Sequence, residues 1–241
     1  MSDRARSTVC FFEADPRHAL ARRAGIEGVG TFMLMFAATG SAVVAANFGA
    51  PVAAALLLHA VATSGALVGL ILAFGAVSGG HFNPVITAGQ WLRGERSSRC
   101  TAAYAVCQIV GGLAGAMLAR IVFPAPAAPL ATAGWALVAS EVIATAGLMV
   151  IVFGVSRAKH AEAGPFAVGA WLTGMILYTP SSYANPAIAI GALVAAGPIV
   201  LTPATAGLFV VAQLFGGLVA FAIVALGYGP DAGRARQGPL P

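Results

Sequence analysis

Ser78-Gly79-Gly80-His81-Phe82-Asn83-Pro84-Val85 and Pro180-Ser181-Ser182-Tyr183-Ala184-Asn185-Pro186-Ala187 are the two stretches on which the reading of this 241-residue chain turns. Each is a small, polar, turn-prone lead-in that ends in Asn-Pro and runs into an apolar stretch of helical composition. Proline at the first helical position is favourable because its missing N–H would have no partner there. Asparagine just before it is a good N-cap. Both motifs therefore read as the start of a short helix entered from a non-helical loop. The apolar runs that follow are about 10 to 12 residues long, whereas a membrane span needs about 20. Half-helices are expected over residues 83–92 and 185–196.

The surroundings of the two motifs are apolar. The chain is 59% hydrophobic and 9% charged, with a mean hydropathy of +0.88. A soluble domain carries about 25% charged residues, so a membrane protein of several spans is implied. Full spans read over 25–46, 52–74, 101–123, 135–155 and 202–226, with a shorter fifth span centred on 166–178. The fold class expected is all-α: six transmembrane helices and two re-entrant half-helices. An eight-span reading fails on the length of the two half-helices.

An internal repeat runs through this arrangement. Glu27-Gly28-Val29-Gly30-Thr31 corresponds to Glu141-Val142-Ile143-Ala144-Thr145, and Gln108-Ile109-Val110-Gly111-Gly112 to Gln213-Leu214-Phe215-Gly216-Gly217. With the Asn-Pro motifs and their half-helices, the matched features fall in the same order in both halves, which argues for duplication. Each copy holds three spans, an odd number, so the second must be inverted in the membrane. The organisation expected is a tail at 1–23, a first inverted repeat at 24–123, an outer linker at 124–134 rich in proline, a second repeat at 135–226 and a tail at 227–241. The two half-helices then enter from opposite faces and meet near the midplane.

Charge gives an independent check. Every Lys and Arg except Arg120 falls in the N-tail, the loop after the first half-helix, the loop after the fourth span or the C-tail. Six spans put all four segments on one side, and the positive-inside rule makes that side cytoplasmic. Both termini are expected there, in a multi-pass protein of the plasma (inner) membrane. The net charge of +5 thus reflects orientation and implies no acidic partner. No basic stripe with interleaved aromatics points to nucleic acid. No nucleophile–base pair, metal constellation or phosphate loop points to an enzyme, and no metal or cofactor is expected. Cys10, Cys100 and Cys107 lack metal-ligand or redox spacing and read as free thiols. Gly111, Gly112, Gly115, Ala116, Gly216 and Gly217 would let helices approach closely.

The paired Asn83-Pro84-Val85 and Asn185-Pro186-Ala187 motifs, with Ser78-Gly79-Gly80-His81-Phe82 before the first, resemble the signature of the aquaporin (major intrinsic protein) family. Glu27/Glu141 and Gln108/Gln213 stand in that family's places, and the resemblance covers 25–226. It implies six tilted spans around one pore per protomer, in a homotetramer within the lipid bilayer. Read physically, two facing helix N-termini place positive potential at the pore centre and disfavour cations. Asn83 and Asn185 can cap their helices and still offer NH₂ donors. Non-helical backbone is tolerated in a membrane where it lines a wet cavity, so the carbonyls of Gly79, Gly80, His81, Ser181, Ser182 and Tyr183 form a candidate acceptor ladder. Glu27 and Glu141, expensive in a membrane unless paired, are expected to brace the re-entrant loops. His81 falls at a family position beside the cytoplasmic half of the pore, and His59 reads as a packing residue.

The departure from the family pattern carries the selectivity argument. The residue after the second Asn-Pro-Ala is usually Arg; here it is Ile188. Counting back as the family aligns, the other filter positions fall on Thr63, Thr173 and Ser182. Water-selective members carry Phe and His at the first two, so this mouth is expected to be wider and uncharged. The combination resembles the bacterial aquaporin-like subgroup associated with arsenic resistance. A passive channel for small neutral solutes, arsenite-like or glycerol-like, and for water is the expected function. The rivals are a water-selective aquaporin, a proton-coupled secondary transporter that uses Glu27 and Glu141, and a membrane protein with a purely structural role.

Overall fold

The computed structural model of the chain describes residues 18–125, 134–158, 160–179 and 181–229. Most of both tails, Cys10, Lys159, and the linker prolines Pro126 and Pro129 lie outside the described residues. Those residues form eight α-helices: α1 (Leu20–Asn47), α2 (Val52–Ser78), α3 (Pro84–Leu92), α4 (Ser98–Val122), α5 (Trp135–Arg157), α6 (Gly164–Tyr178), α7 (Pro186–Gly191) and α8 (Pro203–Tyr228). α1, α2, α4, α5 and α8 are each long and apolar enough to cross a bilayer.

The sixth long element departs from the others. α6 has 15 residues, about 22 Å of rise against a hydrocarbon core of about 30 Å. A 3₁₀ turn at Ala161–Ala163 precedes it and adds length at that end. α7 also differs from expectation. It holds six residues and ends at Gly191 instead of running to residue 196. Beyond it Leu193 N–H reaches the Ile190 carbonyl and Val194 N–H the Gly191 carbonyl, a tighter winding that does not continue the helix. Gly197, with φ of +67°, then takes a backbone conformation natural to glycine.

The long helices pair in matching fashion. α1 packs along α4 as α5 packs along α8, α2 meets α6 across the middle, and α3 and α7 both lie against α4 and α8. Glycine makes the two long pairings close. A Cβ added at Gly111 would strike the Gly28 carbonyl oxygen of α1, and one at Gly216 would sit 2.5 Å from the Val142 carbonyl oxygen of α5. Gly112 gives the same access to the Ala187 carbonyl of α7. The buried centre is built from Met35, Ile71, Phe82, Met149, Phe153 and Phe209. Leu57, Val61, Val110, Ile121, Val211 and Phe215 point outward and exposed, as lipid-facing helices require.

Candidate functional site

Two buried carboxylates hold the two Asn-Pro loops, and they do it with the same set of bonds. Glu27 Oε1 accepts from Ser78 Oγ at 2.6 Å and His81 N–H at 3.0 Å, while Oε2 accepts from Phe82 N–H at 2.6 Å and Gln108 Nε2 at 2.8 Å. Glu141 Oε1 accepts from Ser181 Oγ at 2.5 Å and Tyr183 N–H at 2.8 Å, while Oε2 accepts from Ala184 N–H at 2.9 Å and Gln213 Nε2 at 2.7 Å. Both side chains are 0% exposed. A buried carboxylate with this many donors is retained where an unpaired one would be prohibitive.

Asn83 and Asn185 each make two kinds of bond. Asn83 Oδ1 accepts from Val85 N–H and Asn185 Oδ1 from Ala187 N–H, both at 3.0 Å, so each caps its own short helix. Asn83 Nδ2 donates to the Ala184 carbonyl and Asn185 Nδ2 to the Phe82 carbonyl, both at 2.8 Å. One of the two N–H groups on each amide is thus committed to the opposite loop. The second has no partner among the described residues, so the donor expected from sequence is single where NH₂ offered two.

Phe82 and Ala184, just ahead of the two caps, have φ of +48° and +49°. Left-handed backbone at a residue with a Cβ costs about 1 kcal/mol or more. Here it is held at both ends: each N–H goes to a glutamate and each C=O to the other loop's asparagine. No residue preference in the sequence announces this turn.

A cavity of about 430 Å³ runs past these groups. Asn83, Asn185, Gly80, His81, Ser181, Ser182, Tyr183, Thr63 and Ile188 all contribute to its wall, and among the described residues no Asp, Glu, Lys or Arg does. The carbonyls of Gly80, Ser182 and Tyr183 accept no hydrogen bond among the described residues, and the Ser181 carbonyl lies 2.8 Å from Thr179 Oγ1, whose single proton can also go to the Met175 carbonyl at 2.6 Å. Gly79 lies outside the wall; it is the left-handed C-cap of α2. His81 Nδ1 lies 3.0 Å from Thr87 Oγ1, and its ring stands edge-on to Tyr104.

Two further readings of the sequence need correction. Thr173 is not in the wall: its Oγ1 donates to the Gly169 carbonyl of its own helix at 2.9 Å, and α6 presents Val168, Leu172, Met175 and Ile176 instead. One residue on a helix is a rotation of about 100°, enough to turn a side chain from the wall to the flank. His59, read as packing, is in the wall one turn from Thr63. Cys100 and Cys107 are free thiols, although Cys100 Sγ accepts from Arg96 Nη1 at 3.0 Å.

The family model described as major intrinsic protein matches residues 17–182. Aquaglyceroporin AqpS of Rhizobium meliloti is 34% identical over 85% of this chain and 89% of its own length. Aquaporin Z of Brucella melitensis is 30% identical over 80% of this chain and 92% of its own. Among solved structures, the aquaglyceroporin from Plasmodium falciparum superposes with a TM-score of 0.68 at 17% identity, covering 90% of this chain and 98% of that one. That last likeness bears on the fold alone.

Proposed function

This chain belongs to the major intrinsic protein family, and on that premise we propose that it is a passive channel through which water and small uncharged solutes cross a membrane. The observation that carries the reading is the cavity beside the two capped asparagines, whose wall holds no charged residue among the described residues and has Ile188 where the family usually has Arg. A solute entering it exchanges water for wall donors and acceptors: one N–H from each asparagine and the unpartnered loop carbonyls. A cation gains nothing from the asparagine donors and meets the positive ends of α3 and α7. α3, with nine residues, contributes more of that potential than six-residue α7.

The absence of a guanidinium at 188 leaves room for solutes larger than water. Glycerol-like polyols and undissociated arsenite share the needed character, being compact, neutral and rich in hydroxyls. This supports membership of the arsenic-resistance-associated subgroup. Thr63, Ser182 and Ile188 belong to the filter in this reading, and Leu172 stands in for Thr173. The two halves, 24–123 and 135–226, act as inverted copies that each supply one loop, and the protein assembles as a homotetramer in the plasma membrane with its basic face and termini cytoplasmic. No enzymatic step and no cofactor is involved.

A proton relay through Glu27 and Glu141 finds little support, because neither carboxylate lines the cavity and every oxygen already accepts two hydrogen bonds. Stopped-flow light scattering of reconstituted vesicles tests the proposal with water, glycerol and undissociated arsenite. Entry of all three above the empty-vesicle rate is expected. Water entry alone would favour a strict water channel.

A further inference from the structure

We infer that His59 is a specificity-determining contact of this channel, an imidazole station for hydroxylated solutes on the way from the 47–51 turn to the asparagine pair. The inference rests on the channel reading above and adds a residue to it. α2 starts at Val52 beside that turn and ends at Ser78 beside Glu27, so position along it measures depth. His59 lies about two turns in, and Thr63 one turn further. Both are in the cavity wall.

The other helical residues of this part of the wall are mostly apolar, while Thr179, Ser181, Ser182 and Tyr183 line it from the second loop. α1 contributes Ala38, Ala42, Ala45 and Ala46, whose small side chains leave room for the ring. α6 contributes Leu172 and Ile176, and Trp171 in the same wall has its indole N–H committed to the Ala144 carbonyl at 2.9 Å. Along the helical part of the wall, His59 and Thr63 are therefore the side chains before the asparagines that can replace a solute's lost water.

The ring is held by one nitrogen and open at the other. Nδ1 lies 2.9 Å from Ser41 Oγ and 3.4 Å from Thr63 Oγ1. Nε2 has no hydrogen-bond partner among the described residues, and it is not among the nitrogens sealed in the packing without one. Ser41 Oγ also lies 3.2 Å from the Ala38 carbonyl, and its single proton can go to either neighbour. When it goes to Ala38, Ser41 accepts from Nδ1–H and Nε2 is an acceptor. When it goes to Nδ1, Nε2 carries the hydrogen and donates. A neutral hydroxyl, which both donates and accepts, suits either tautomer.

The test compares glycerol and water permeability of vesicles containing wild type, His59→Leu and His59→Gln. Losing one compensating hydrogen bond should lower the glycerol-to-water ratio of the Leu variant about fivefold, while Gln keeps it within about twofold of wild type. A Leu ratio equal to wild type, or a Gln ratio as low as Leu, overturns the inference. Should the Leu variant fail to reconstitute, Ser41→Ala takes its place: it unties the ring and should also lower the ratio, and a wild-type ratio there overturns the inference. Wild type that passes no glycerol would overturn the solute reading on which this inference rests, a distinguishable result.

Discussion

Asn83 Nδ2 lies 2.8 Å from the carbonyl oxygen of Ala184, a residue from the other half of the chain, and the pair is mirrored by Asn185 and Phe82. Each loop is therefore fixed partly by the asparagine that caps the other loop's helix. The two short helices are one unit.

Asn185→Asp keeps the oxygen that caps α7 but removes the donor to Phe82, leaving two acceptors face to face in a buried site. The variant should lose about 1–3 kcal/mol of stability, seen as a lower melting temperature in detergent. Vesicles containing it should also leak cations, because a carboxylate offsets the positive ends of α3 and α7. Wild-type melting together with wild-type ion tightness would mean that the amide donor is dispensable.

Glu27→Gln replaces a group that accepts four hydrogen bonds with one that has a single acceptor oxygen, and turns an NH₂ toward donors already present. Hydrogen bonds to a charged group are worth about 1.5–3 kcal/mol each, so a loss of several kcal/mol and a shortened half-life in detergent are expected. Glu141→Gln should behave alike, given the matched bonds. A Glu27→Gln variant as stable as wild type, but with altered pH dependence of flux, would instead mark the carboxylate as a proton carrier.

Gly111→Ala would drive a methyl group into the Gly28 carbonyl and force α1 from α4, whereas Gly65→Ala meets nothing within 4 Å. Overpacking costs about 1–3 kcal/mol. The first variant should melt below wild type and the second should not; equal melting of the two would contradict the close packing.

Ile188→Arg places a guanidinium in the cavity wall at a side chain now 7% exposed. Glycerol entry should fall further than water entry in stopped-flow swelling. If the two fall together, residue 188 does not set the size limit.

The parts of the site legible in the sequence are those written in residue types with one physical use. Asn-Pro specifies a capped helix start, and a carboxylate and a glutamine recurring in both halves signal a shared partner inside the membrane. The glycines of α4 and α8 likewise have a single economical reading. What escapes is rotational phase. α2 and α6 are apolar all round, so no polar stripe tells which residue faces the cavity; hence counting by the family alignment puts Thr173 in the wall, and His59 reads as packing. The left-handed turns at Phe82 and Ala184 have no glycine to announce them. α7 ends at Gly191, inside an apolar run that continues to Ala196.

The central claim is an uncoupled bore for neutral solutes past the paired asparagines, and the most direct measurement records glycerol entry and internal pH in the same vesicles. Reswelling well above the empty-vesicle rate with the pH dye unchanged is the predicted result. Reswelling at the empty-vesicle rate, or glycerol entry in step with a pH change, would contradict it.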